Sequence, residues 1–192
     1  MQNHNSKTAL LVMDVQNGIV SNLGENKEEA LTTYQKVIMA ARQHAIPVIF
    51  IRVGFSEGYP EISPKNKRFS SVLKYGGMTV LDEATQIHES VKPEVREAVV
   101  TKYRISAFAG SNLEIILRSQ QIDTLVLSGI STSGVVLSTL REAADKDFQL
   151  KVLADACFDT NKEVHEVLMD KVFPSQADVL NVQDWIDTLN ER

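Results

Sequence analysis

Apolar residues in this 192-residue chain fall in short runs separated by longer amphipathic stretches. Runs rich in Val, Ile and Leu at 9–13, 47–53, 98–101, 124–127, 151–153 and 178–180 predict strands. Helical spacing of apolar positions predicts helices over 27–44, 111–119, 133–146, 162–171 and 182–190. Strand followed by helix, repeated along the chain, predicts a parallel sheet covered on both faces, because right-handed crossovers return a helix after each strand. The expected fold class is therefore α/β, a three-layer α/β/α Rossmann-like arrangement in one domain spanning 1–192. One stretch breaks the rhythm. From Gly54 to about Lys92 the chain carries Gly58, Pro60, Pro64, Gly76, Gly77 and the basic run Lys65-Asn-Lys-Arg68. Connections this long usually serve as lids or binding loops, so a partly ordered excursion over the edge of the sheet is expected, with a subunit contact as the other option.

Composition narrows the function classes. Hydrophobic residues at 43% and charged residues at 23% suffice for a sizeable core. The net charge of −5, without a long basic run, gives no attraction for nucleic acid or an anionic membrane. Cys157 is the only cysteine, which excludes a disulfide-built scaffold. The polar start Met1-Gln-Asn-His-Asn-Ser-Lys-Thr8 lacks the apolar stretch of a secretory signal, and no apolar run reaches the length of a membrane span. A cytoplasmic protein acting on a small molecule is expected.

Candidate chemistry lies where polar residues follow apolar runs, since open α/β sheets present such side chains at the carboxyl edge of their strands. Asp14 follows Leu10-Leu-Val-Met13, where a buried carboxylate is costly unless paired; the alternative is a simple cap of the following turn. Gln16 either steadies Asp14 or offers its amide to a ligand. Lys102 follows Val99-Val-Thr101, and its ammonium would meet a carboxylate or an anionic group. An ammonium beside Asp14 would lower its pKa while burial would raise it. Gly129-Ile-Ser-Thr-Ser-Gly134 is a strand-to-helix junction whose backbone N–H groups suit an oxyanion, with Ser131, Thr132 or Ser133 as helix cap or substitute nucleophile. Arg52 and Arg104 are candidates for holding a carboxylate. Phe55, Tyr59, Tyr103, Phe108 and Phe158 are candidates for lining a pocket or for plain packing.

These segments resemble the isochorismatase-like hydrolases, which include nicotinamidases, N-carbamoylsarcosine amidases and isochorismatases. The resemblance runs from about Thr8 to Val182 and rests on Asp14-Val-Gln16, Lys102, Ser106-Ala-Phe108, Gly129 to Gly134, Leu140-Arg-Glu-Ala143, Asp155-Ala156 and Phe173-Pro174 in that order. It implies a six-stranded parallel sheet of order 3-2-1-4-5-6 and a cis peptide at Ile130-Ser131. In amidase members an Asp, a Lys and a Cys form the catalytic triad. Here they map onto Asp14, Lys102 and Val135, so the nucleophile is missing, and Cys157, more than twenty residues on, reads as a small buried residue. The four histidines, His4, His44, His88 and His165, are scattered, with His165 expected to be solvated. They lack the Asp-x-His pair of metal-dependent members, so no metal and no cofactor is expected. Isochorismatases of the family also lack the cysteine and cleave a vinyl ether. That implies Asp14 as the acid, Lys102 as its partner, and Gln16, Ile130, Ser131, Gly134 and Phe108 around the substrate. The alternatives are an inactive scaffold that binds a ligand or partner, and an amidase with an unusual nucleophile such as Ser133. A homo-oligomer, dimer or larger, is also implied.

Overall fold

The computed structural model describes residues 7–191; His4 and the first part of the polar amino-terminal stretch lie outside the described residues. Six strands form the sheet: β1 (Thr8–Met13), β2 (Val48–Val53), β3 (Ala98–Lys102), β4 (Thr124–Ile130), β5 (Gln149–Phe158) and β6 (Asp178–Leu180). Every neighbouring pair is parallel and the order is 3-2-1-4-5-6, as expected. The helices are α1 (Asn17–Val20), α2 (Lys27–Gln43), α3 (Val72–Tyr75), α4 (Leu113–Ser119), α5 (Leu137–Asp145), α6 (Lys162–Val167) and α7 (Val182–Asn190). None of them is long and apolar enough to cross a membrane.

Alternation along β1 divides the core. Leu10 and Val12 face α2 and α7 with Tyr34, Val37, Ile38 and Trp185, while Ala9, Leu11 and Met13 face the layer of α4 and α5 with Leu113, Leu117 and Leu140. Both faces being dry explains why the strand runs read as continuous rather than alternating.

The central strands are longer than their apolar runs. β4 continues through Ser128, whose hydroxyl donates to the Leu11 carbonyl at 2.9 Å, and through Gly129, where a Cβ would stand 2.5 Å from the Met13 oxygen. Only glycine allows β1 and β4 to approach this closely. Gly129→Ala is expected to cost about 1–3 kcal/mol by overpacking and to lower the thermal midpoint by about 2–4 °C for each kcal/mol. An unchanged midpoint in a calorimetric scan would show that the two strands can part at no cost. β5 is ten residues long because its pairing with β4 jumps from Leu127↔Val152 to Gly129↔Cys157, which carries the strand past its polar middle to Phe158.

The excursion after β2 is ordered. It contains α3, adds single bridges Gln16↔Ile87 and Phe55↔Thr79, and closes a small core of its own from Val53, Phe55, Ile62, Phe69 and Val72. The Phe55 and Phe69 rings meet edge to face at 5.3 Å.

Candidate active site

The ends of β1 and β4 form the middle of the carboxyl edge, and Asp14 is the first residue beyond β1. Its backbone lies in the left-handed region at φ 60°, held by a bond from its N–H to the Ile51 carbonyl at 2.8 Å. Strained backbone of this kind in a non-glycine residue is characteristic of functional sites. Lys102 ends β3, and its Nζ lies 3.0 Å from Asp14 Oδ2, with side chains 2% and 8% exposed respectively. The same Nζ donates to the Arg104 carbonyl at 3.0 Å.

The second oxygen, Asp14 Oδ1, is buried and has no hydrogen-bond partner; among the described residues the Tyr34 hydroxyl is the other such side-chain atom. Burial raises the Asp14 pKa and outweighs the opposing pull of the Lys102 pair and of the more distant Arg68 charge. The competition left open by the sequence is thus decided for burial, which holds the carboxyl above its ordinary range.

Beyond Gly129 the chain turns through a cis peptide at Ile130-Ser131 into a π-helical turn, Thr132–Val136, which precedes α5. Gly134 fits because a Cβ there would lie 2.7 Å from Ser131 Oγ. Val135 is 2% exposed at the position assigned to the cysteine. The junction's Ser133 N–H, expected to receive an oxyanion, instead donates to Asp159 Oδ2 at 2.8 Å. His165, expected in solvent, is half-buried and lies 2.9 Å from the buried Thr132 hydroxyl, bracing the turn from α6.

These elements enclose a cleft of about 580 Å³, lined by Asp14, Gln16, Lys102, Ile130, Ser131, Gly134 and Val135 together with Arg68, Phe69, Ser133 and Asp159. A separate depression of about 490 Å³ lies at the amino edge of the sheet, around Lys7, His44 and Gln120, far from this constellation. Gln16 lines the cleft, but its amide is committed to backbone: it donates to the Val53 and Thr85 carbonyls and accepts from the Val53 N–H. It therefore fastens β1 to β2 and the excursion.

Phe108 is not part of the cleft; it packs on Phe148, with Lys146 Nζ 5.6 Å from its ring centre. Phe55, Tyr59 and Tyr103 belong to the excursion's core, and Phe158 packs on Tyr34. Arg52 is bound to Thr101, Gln86 and Val80, and Arg104 to Tyr103 and Glu61. Cys157 is buried away from the cleft with its thiol pushed well above the usual range by burial. Among the described residues no group of three or more His, Cys, Asp or Glu is placed to hold a metal ion.

Two charged cleft residues escape the reading of the sequence. Arg68 stood in plain view within a basic run, without a strand end to mark it. Asp159 follows β5 as Asp14 follows β1, but the predicted strand stopped at residue 153.

The sheet order, the buried Asp14–Lys102 pair and the turn at Ile130 coincide with a match of residues 8–184 to the isochorismatase domain model. The chain belongs to the isochorismatase family. It is 33% identical over 185 residues to the uncharacterized isochorismatase family protein YecD of Escherichia coli O157:H7, covering 95% of this chain and 96% of that protein. It is 29% identical to the ureidoacrylate amidohydrolase RutB of Pseudomonas savastanoi pv. phaseolicola, covering 96% and 82%. Among solved structures, an isochorismatase family protein from Burkholderia thailandensis superposes with a TM-score of 0.84 at 25% identity, covering 96% of each chain. The cleft of this isochorismatase family member presents a buried carboxyl with an unpartnered oxygen and, at residue 135, a valine.

Proposed function

We propose that the cleft hydrolyses a small anionic vinyl ether of the isochorismate type, with Asp14 as general acid and without a covalent intermediate. The observation that carries this reading is Asp14 Oδ1, a buried, unpartnered carboxyl oxygen in the cleft on a group whose pKa is raised. A carboxyl whose pKa is raised by burial holds its proton to higher pH than a solvated one and can serve as a general acid. Val135 has no atom that could form an acyl or thioimidate bond, which removes the covalent route at that position.

In the proposed reaction Asp14 gives its proton to the terminal methylene of the enolpyruvyl group, and the ether carbon becomes an oxocarbenium ion. Water adds to that carbon and returns a proton to the Asp14 carboxylate. The resulting hemiketal then breaks its C–O bond to release pyruvate and the ring alcohol. Lys102 holds Asp14 in place through Oδ2, leaving Oδ1 to face the substrate. Arg68, whose guanidinium has no hydrogen-bond or ion-pair partner among the described residues, is available for a carboxylate. The cleft volume lies within the range of small-molecule sites.

The direct test is pyruvate release from isochorismate by the purified protein. Release above the uncatalysed rate is expected. Isochorismate binding without release would favour a ligand-binding scaffold instead.

The proton donor also fixes the pH dependence. An acid must be protonated, so kcat/KM is expected to be high at low pH and to fall as pH rises through the raised pKa of Asp14. Lys102→Met removes the ammonium that favours the carboxylate, so the falling limb should move to higher pH. A limb displaced to lower pH would rule out Asp14 as the acid.

A further inference from the structure

Asp159 brings a second carboxylate to the cleft, from the end of β5. Its Oδ2 accepts the Ser133 N–H at 2.8 Å and its Oδ1 accepts the Asn161 N–H at 3.1 Å. Burial works against its charge, but hydrogen bonds from the Ser133 side chain, the Ser133 N–H and the Asn161 N–H, with the charge of the neighbouring His165, outweigh it, and the pKa is lowered. The two oxygens of an ionised carboxylate accept about four hydrogen bonds, so one direction stays unused by these donors. No lysine or arginine is ion-paired with Asp159 among the described residues.

The sheet order gives this charge a counterpart. With β1 and β4 at the centre, the excursion carrying Arg68 rises from the β2 side and Asp159 from the β5 side. Asp14 and Val135 line the same cleft. The cleft is therefore bipolar, a free guanidinium on one flank and an ionised carboxylate on the other.

We propose that Asp159 is a specificity-determining residue that accepts an N–H or O–H from the substrate, so that the cleft selects dipolar small molecules with an anionic group toward Arg68 and a hydroxyl or ammonium group toward Asp159. This rests on the reading of the cleft as the substrate site, but not on turnover. An anionic group at Asp159 would be repelled, and an apolar one would leave the carboxylate without the water it gives up.

The test uses matched probes that differ at one end: ω-amino acids, ω-hydroxy acids and plain alkanoates of equal length, from two to six carbons, titrated against the protein by NMR. At the best-fitting length the wild type is expected to bind the amino or hydroxy acid about tenfold or more tightly than the alkanoate, as for a hydrogen bond to a charged group. Asp159→Asn, whose amide oxygen can still accept the Ser133 N–H, should abolish that preference while leaving alkanoate binding in place. In the wild type the Ser133 amide resonance should shift with the amino acid and not with the alkanoate, a readout that stands even where the variant does not fold. Equal binding of the matched probes, no binding of either polar probe, or a preference retained in Asp159→Asn would each overturn the proposal. A failure of pyruvate release leaves these binding readouts intact, so the two ideas are separable.

Discussion

Asp14→Asn is expected to reduce pyruvate release by about 10²- to 10⁴-fold, the range that a positioned general acid supplies. Asparagine keeps an oxygen for Lys102 Nζ, now 3.0 Å from Oδ2, and has no proton of comparable acidity to give. Fold integrity is separated from chemistry by comparing it with Asp14→Ala. Alanine leaves the Lys102 ammonium, 2% exposed, with the Arg104 carbonyl as its one remaining partner. Leaving a buried donor short of its acceptor in that way costs about 1–3 kcal/mol. The alanine variant should therefore lose both activity and stability, and the asparagine variant mainly activity.

Linkage gives a further check on the same residue. Folding raises the Asp14 pKa, so its contribution to stability is fully present below the unfolded value and is lost as pH rises through the folded one. Asparagine does not titrate, and its stability curve should be flatter across that window. An asparagine variant that keeps more than a small fraction of wild-type turnover would sink Asp14 as the acid.

Val135→Cys should convert an inert position into a reactive one. Cysteine is no larger than valine, so the π-helical turn can hold it without overpacking. The new thiol would line the same cleft as Asp14 and Lys102, where a charged and hydrogen-bonding environment favours thiolate chemistry. We expect one equivalent of iodoacetamide to add to Val135→Cys, at least about 100-fold faster than to the wild type. In the wild type the sole thiol, Cys157, is buried with its pKa pushed up, and intact mass should show no adduct. Ureidoacrylate, named in a relative's activity, is the first amide to try, and a transient acyl adduct on the variant would show that the surrounding residues still support a nucleophile. An unlabelled variant with an unchanged fold would mean that the turn shields residue 135 from the cleft.

Much of this was legible in the chain itself. The parallel sheet followed from apolar runs ending in polar residues, while the strand order, the pairing of Asp14 with Lys102 and the turn at Ile130 were implied by the family resemblance. The limits of the strands were harder to see, because β4 and β5 continue through Ser128 and Gly129, which fit against β1, and through Asp155, whose carboxylate accepts the Val182 N–H at the start of α7. That shortfall hid Asp159. Arg68 was hidden for a different reason, since an arginine in a loop has no periodicity to place it. Phe108 illustrates the converse: its motif neighbours Ser106 and Ala107 bond to Glu142 and Thr139 of α5, and its ring packs beside Phe148, outside the cleft. The balance on Asp14 also had to await the fold, because burial depth is not written in the local sequence.

The excursion between β2 and β3 rests on its own aromatic cluster, and Arg68 sits beside Phe69 within it. Asp14 is anchored elsewhere, at the end of a central strand of the sheet. The proposed recognition and the proposed chemistry are thus mounted on separately supported parts of one chain. Substitutions that reshape the arm would leave Asp14 and Lys102 where the sheet holds them, so the outline of the cleft can change without disturbing the pair at its floor.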